Sequence, residues 1–159
     1  MVGDFGVGKT SSIRRFVEGQ FSDKYLSTVG VKISRKMVEL SDSKVQLILW
    51  DLEGHTKFKA IAPTYLQGAK GALIVADVTR PETIDRISDH LDLFYSVNAG
   101  GKTLVALNKC DLIDSDAGEK WCNLVRDRWG DLVLEVDLTS AKTGENVDRL
   151  FTLLTSAIA

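Results

Sequence analysis

Short apolar runs alternate along the chain with stretches in which apolar residues recur at helical spacing. Two β-rich runs, Val31–Leu40 and Lys44–Trp50, flank the polar residues Ser41–Ser43 and predict a hairpin. Three later runs are short and mainly apolar, which is typical of parallel strands covered on both faces: Gly71–Val75, Thr103–Leu107 and Leu132–Val136.

The intervening stretches carry apolar faces of helical period. Pro81 precedes the first face and Gly130 follows the second, at positions where helices begin and end. The three faces are Ile84, Ile87, Leu91 and Phe94; Ala117, Trp121, Leu124 and Val125; and Val147, Leu150, Phe151, Leu154 and Ile158. We interpret all three as core packing. The alternation predicts an α/β three-layer sandwich with a mostly parallel six-stranded sheet, one antiparallel edge strand and about five helices.

Composition narrows the class of protein. The 159 residues suit a single domain spanning 1–159, and 44% hydrophobic with 26% charged residues is ordinary for a globular fold. A net charge of −2 argues against a nucleic-acid binder, and we expect no membrane anchor in this chain. Two cysteines, Cys110 and Cys122, are too few for a disulfide framework, so we expect a cytoplasmic location.

The segment Gly3–Thr10 matches the phosphate-loop pattern G-x-x-x-x-G-K-[ST]. Glycines let successive backbone N–H groups point at phosphate oxygens, and Lys9 reaches the β- and γ-phosphates while the Thr10 hydroxyl ligates Mg²⁺. A chance glycine-rich turn would match in roughly one chain in a hundred. The predicted phosphate-binding residues are Phe5, Gly6, Val7, Gly8, Lys9, Thr10 and Ser11.

Two further loops predict which base is bound. Asn108, Lys109 and Asp111 follow a predicted strand. The Asp111 carboxylate can accept from both N1–H and the exocyclic amine of guanine, and adenine does not offer this pair of adjacent donors. Lys109 would lie along the base, and Asn108 would tie loops together. Downstream, the loop Ser140, Ala141 and Lys142 follows another strand, and the N–H of Ala141 is our candidate donor to guanine O6.

Asp51 and Gly54 end the strand that begins at Lys44. A carboxylate at this point can hold Mg²⁺ through water, and a glycine lets a backbone N–H approach the γ-phosphate. We therefore place Thr10 and Asp51 at the metal.

With these motifs the chain resembles the small GTPases of the Ras superfamily, most of all the Rab branch, over essentially its full length. The resemblance implies that Phe21 packs on the guanine, Tyr25 closes over the phosphates and Thr28 binds Mg²⁺. It implies that effectors, exchange factors and activating proteins bind through Tyr25–Val31 and Leu52–Gln67. It also implies hydrolysis of GTP to GDP, with Lys9, Gly54 and His55 as the catalytic residues.

The chain departs from that family pattern at several positions. His55 stands where the family has a water-orienting glutamine, and its two interpretations, water-positioning residue or solvent-facing side chain, are equally weighted. Phe5 replaces a small residue, and we expect Glu53 to face solvent, away from the γ-phosphate. Only Met1 and Val2 precede the loop, so we expect a shortened first strand, with residues missing upstream.

These departures leave two functions open: a switch with slow unaided GTP hydrolysis, or a nucleotide-binding interaction module with negligible hydrolysis. A nucleotide kinase is disfavoured because no arginine-rich lid follows. We interpret Trp50, Trp121 and Trp129 as packing residues and Arg14–Arg15 as a solvated helix face.

Overall fold

The computed structural model describes residues 1–24, 28–54 and 61–159. Its strands are β1 (Val2–Gly3), β2 (Val31–Glu39), β3 (Lys44–Leu52), β4 (Gly71–Asp77), β5 (Lys102–Asn108) and β6 (Glu135–Leu138). Its helices are α1 (Lys9–Glu18), α2 (Pro81–Asp85), α3 (Ile87–Val97), α4 (Ser115–Trp129) and α5 (Val147–Ile158). Short 3₁₀ turns lie at Pro63–Tyr65 and Cys110–Leu112. The described helices number five, in agreement with the prediction of about five.

The described strands form two sheets instead of the single six-stranded sheet that we predicted. Parallel strands in the order β1-β4-β5-β6 make one sheet, and the antiparallel β2-β3 hairpin makes the other. With only two residues, β1 pairs with Ile74 and Val75 of β4. It is too short to form a ladder with β3, and the backbone nitrogen of Met1 instead donates to the Trp50 carbonyl at 2.6 Å.

Helices cover both faces of the parallel sheet, as the predicted three-layer arrangement requires. Alternate residues of β4 point to opposite faces: Ile74 joins a core with the α3 and α4 side chains, whereas Leu73 and Val75 join one with α1 and α5. The first and third predicted helical faces lie in or against these cores. Of the second face, Val125 is buried with Trp121 and Leu124 packed against its core, and Ala117 is only partly buried. In the second core, the rings of Phe16 and Phe151 stack at 4.3 Å.

Two predicted elements differ from the structure, one in position and one in continuity. The last strand was expected at Leu132–Val136 but runs over Glu135–Leu138, with Leu132 and Leu134 exposed. The carbonyl of Leu132 accepts instead from the Tyr95 hydroxyl at 2.6 Å. The helical stretch after Pro81 is interrupted at Arg86, which ends α2 and precedes α3.

The carboxyl ends of the parallel strands meet at one edge of their sheet, where open α/β sheets bind ligands. The loops that leave β1, β4, β5 and β6 at that edge begin with Asp4, Val78, Lys109 and Thr139. The phosphate loop and both predicted base-binding loops therefore converge. Among the described helices, none is long and apolar enough to cross a membrane.

Candidate functional site

The phosphate loop joins β1 to α1 and turns on glycine. Gly8, at φ 101°, ends the loop immediately before α1. A Cβ there would lie 2.2 Å from the Nδ2 of Asn108, so only glycine fits without displacing the base loop. No side chain of the described residues caps the start of α1, which leaves its first N–H groups available to an anion.

Lys9 lies beneath the loop and is 5% exposed. Its ammonium donates to the carbonyls of Gly3 at 3.1 Å and Asp4 at 2.9 Å. Burial lowers the pKa of Lys9 to about 8, although the carboxylates of Asp51 and Asp4 oppose that shift. The loop carbonyls thus hold the ammonium within the site.

The three predicted metal ligands come together. The Thr10 hydroxyl donates to Asp51 Oδ2 at 2.5 Å and lies 2.5 Å from the Thr28 hydroxyl. Asp51 is 1% exposed, and its Oδ1 has no hydrogen-bond partner among the described residues. A buried carboxylate oxygen without a partner, beside two hydroxyls, fits a hard cation that keeps several water ligands. The residues present therefore fit Mg²⁺.

Asn108 fastens the two base loops to the phosphate loop. Its Nδ2 donates to the Val7 carbonyl at 2.9 Å. Its Oδ1 accepts at 3.2 Å from both the Thr139 hydroxyl and the Ala141 N–H. The prediction that Asn108 ties loops together is confirmed, and the same contact engages the Ala141 N–H that we assigned to guanine O6.

Lys109 and Asp111, which follow that asparagine in the same loop, are also held by hydrogen bonds or ion pairs. The Lys109 ammonium contacts Asp77 at 2.7 Å and donates to the Gly6 carbonyl at 2.9 Å. The Ser140 hydroxyl donates to Asp111 Oδ1 at 2.7 Å. Asp111 remains exposed, so its carboxylate is oriented and accessible to a ligand.

A cavity of about 320 Å³ connects these groups. Most predicted binding residues line it: Phe5, Gly6, Gly8, Lys9, Thr10, Ser11, Phe21, Thr28, Gly54, Asn108, Lys109, Asp111, Ala141 and Lys142. Val7, Asp51 and Ser140 are buried behind that lining. Tyr25 and His55 lie outside the described residues, and so do parts of both predicted partner-binding segments.

Glu53 does not face solvent, contrary to our expectation. It is half-buried, and its Oε2 accepts from the Gly30 N–H at 3.2 Å. In return the Glu53 N–H donates to the Gly30 carbonyl at 2.8 Å. The hairpin register, which pairs Val31 with Leu52, is thereby extended by one residue pair. This pair links the two predicted partner-binding segments.

Gly54 lies directly on the phosphate loop. A Cβ at Gly54 would lie 2.5 Å from Phe5 Cα and 3.0 Å from the Lys9 ammonium. The Phe5 side chain itself is 40% exposed. The phosphate loop is thus in close backbone contact with Gly54.

Sequence reasoning missed the charged side chains that support the site from outside. Arg80 donates to the Phe5 carbonyl, and Arg86 pairs with the Asp4 carboxylate. Arg15, interpreted as solvated, donates to the Ala141 carbonyl at 2.8 Å, and Arg14 lines the cavity. One further supporting residue, Asp77, which pairs with Lys109, did carry a signal in the sequence. Asp77 ends a strand at the edge of the sheet where ligands bind, so its position indicated a role at the site.

The fold and this cavity define a phosphate-loop nucleotide-binding protein of the α/β class. The Ras family model matches residues 1–159. Similar proteins include Ras-related protein Rab-13 of Rattus norvegicus, 32% identical over 160 residues that cover 97% of this chain and 75% of the relative. Ras-related protein Rab-1C of Dictyostelium discoideum is 33% identical, covering 99% of this chain and 78% of its own. Ras-related protein RABD2c of Arabidopsis thaliana is 34% identical with the same coverage. This chain belongs to the Ras family of small GTPases.

Proposed function

We propose that this chain is a guanine-nucleotide switch that binds GTP and GDP with Mg²⁺ and hydrolyses GTP slowly without assistance. The observation that carries the proposal is one cavity lined by the phosphate loop, by Thr10 and Thr28, and by Asp111. The family match over residues 1–159 also supports the prediction of a single domain.

Base selection rests on Asp111. The Ser140 hydroxyl occupies Oδ1, and the carboxylate keeps lone pairs for the two adjacent donors of guanine. Adenine presents an acceptor at N1, so Asp111 would face it unpaired. Phe21 and Lys109 line the same cavity as Asp111 and supply apolar area for the base.

Phosphate binding rests on the backbone of the phosphate loop and on Lys9. The start of α1 favours an anion, and the Lys9 ammonium neutralises charge that develops on the phosphates. Mg²⁺, when bound, supplies further neutralisation of the phosphate oxygens. Thr10, Thr28 and Asp51 would hold it.

Hydrolysis requires a positioned water, and His55 is the proposed residue for that role. Imidazole offers one donor and one acceptor, so we expect an unaided rate no higher than about 3–5 × 10⁻⁴ s⁻¹, the intrinsic rate of Ras. Single-turnover hydrolysis by the wild-type protein and by His55→Ala measures this. A rate well above that value would refute the slow switch, and undetectable turnover would favour the interaction module.

Switching follows from the contacts at Thr28 and Gly54. Both line the cavity, and each lies within a segment proposed to bind effectors, exchange factors and activating proteins: Thr28 within Tyr25–Val31 and Gly54 within Leu52–Gln67. The γ-phosphate would hold these segments, and hydrolysis would release them. A cytoplasmic location remains our prediction. It is supported by the cysteines, both of which are free thiols.

The decisive experiment is the nucleotide content of the purified protein, with Asp111→Asn as the variant and Asp116→Asn as its control. Asp116 is an exposed aspartate in the first turn of α4. We expect guanine nucleotide in the wild type and the control, and its loss in Asp111→Asn. Adenine nucleotide in the wild type, or guanine nucleotide retained by Asp111→Asn, would refute the proposal.

A further inference from the structure

An arginine that lies outside all the predicted motifs donates a hydrogen bond to the outer side of the phosphate loop. Arg80, at the residue before α2, donates from Nη1 to the carbonyl oxygen of Phe5 at 2.8 Å, across 75 positions of sequence. Its Nε also lies 3.4 Å from Glu82 Oε1. The contact with Phe5 is a charge-assisted hydrogen bond to the backbone of the binding loop.

The accepting carbonyl belongs to the same peptide unit as the N–H of Gly6. No peptide bond among the described residues is cis, so this C=O and N–H point in opposite directions. The C=O faces Arg80, while Gly6 lines the cavity. Arg80 therefore holds the carbonyl end of the Phe5–Gly6 peptide, whose N–H is placed to donate a hydrogen bond to a phosphate oxygen.

The preceding residue is anchored to the same part of the fold. The Asp4 carboxylate accepts from Arg86 Nε at 3.1 Å and lies 2.9 Å from His90 Nε2. Asp4 and His90 are both buried. Two consecutive loop residues, Asp4 and Phe5, are thus fixed to the segment that carries α2 and α3.

The position of Phe5 within the cavity indicates which part of a nucleotide the Arg80–Phe5 hydrogen bond affects. Gly54 approaches Phe5 Cα and the Lys9 ammonium, so this end of the cavity takes the terminal phosphates. Asp111 marks the base end. The Phe5–Gly6 peptide is therefore far along the phosphate tail.

We propose that Arg80 is a positioning residue that acts through the Phe5–Gly6 peptide to strengthen binding of the second and third phosphates of a guanine nucleotide. The inference rests on the proposed function. Donation to the carbonyl polarises the peptide and makes its N–H a stronger donor. It also holds Gly6 at φ 76°, in the left-handed conformation that turns the loop around the anion.

The test compares dissociation constants for GMP, GDP and GTP in the presence of Mg²⁺. For Arg80→Ala we expect affinity for GDP and GTP to fall about tenfold, the loss typical of a hydrogen bond to a charged group, and affinity for GMP to change by less than about twofold. Arg80→Lys should recover part of the loss, because an ammonium can also donate to the carbonyl. Arg128→Ala, which removes an exposed arginine paired with Asp85 of α2, should match the wild type.

Each outcome separates the inference from the proposed function. Unchanged GDP affinity in Arg80→Ala, or an equal loss for GMP and GDP, overturns the inference while the switch stands. If Arg80→Ala is unfolded by thermal melting, Arg80→Lys carries the comparison, and a GDP to GMP affinity ratio equal to that of the wild type overturns the inference. A wild type that binds ADP as tightly as GDP overturns the proposed function instead.

Discussion

Replacing Asn108 by alanine tests the central junction of the site. The Asn108 side chain is 2% exposed and makes hydrogen bonds to Val7, Thr139 and Ala141. Val7 and Ala141 are buried, at 0% and 3% exposure, so the truncation leaves a carbonyl and an N–H without partners. At about 1–3 kcal/mol for each unsatisfied group, we expect a loss of about 3 kcal/mol in the free energy of unfolding. For a domain of this size, that lowers Tm by roughly 6–12 °C.

The assay is urea unfolding of protein stripped of nucleotide and metal, so that ligand binding does not contribute. Asn123→Ala, an exposed asparagine of α4, is the control and should change stability by less than about 0.5 kcal/mol. A loss in Asn108→Ala no larger than in this control would show that the three hydrogen bonds do not fasten the loops together.

Three further predictions concern the phosphate end of the cavity. Gly54→Ala would place a Cβ 2.5 Å from Phe5 Cα. Because the backbone of Phe5 can move only slightly, affinity for GTP should fall about tenfold relative to affinity for GDP. The control Gly100→Ala, which has open space around it, should bind both nucleotides as the wild type does. Glu53→Gln keeps an acceptor for Gly30 and removes a negative charge, so the ratio of GTP to GDP affinity should rise by up to about threefold; an unchanged ratio would show that the carboxylate is not felt by the γ-phosphate. The pKa of Lys9 is lowered to about 8 and phosphate binds its charged form, so GDP affinity should fall about tenfold from about pH 7 to about pH 9. Lys9→Arg stays charged, and its GDP affinity should depend less on pH. A decline as steep as that of the wild type would exclude Lys9 as the cause.

The proposed binding residues were accessible to sequence analysis because the chemistry that suggests them is local. A phosphate loop needs glycine and lysine at fixed spacing, and an aspartate after a buried strand is placed at the sheet edge by the strand itself. Glu53 illustrates the limit of this reasoning. Its charge suggested solvent, but its side chain accepts from Gly30, a residue that the hairpin register brings opposite it.

Trp50 illustrates the same limit in the opposite direction. We interpreted it as a packing residue, yet it is 44% exposed and pairs in register with Ile33, which is 51% exposed. A strand residue faces the core or solvent according to its parity in the pleat. In Lys44–Trp50, Trp50 shares its face with Lys44 and Gln46, whereas the opposite face is apolar throughout. The alternation therefore indicated an outward Trp50, and our packing interpretation followed residue type instead of strand position.

By itself, the sequence determined the alternation of strands and helices, most of the faces that form the two cores, and the short motifs proposed to recognise phosphate and base. Those features depend on residue types at small, fixed separations, where local geometry leaves few alternatives. The tertiary structure alone decided the division into two sheets, the position of β6, and the outer contacts of Arg80, Arg86 and Asp77. The contacts of Arg80 and Arg86 join residues 75 and 82 positions apart. Their formation depends on how the helices pack against the sheet, which no local pattern encodes.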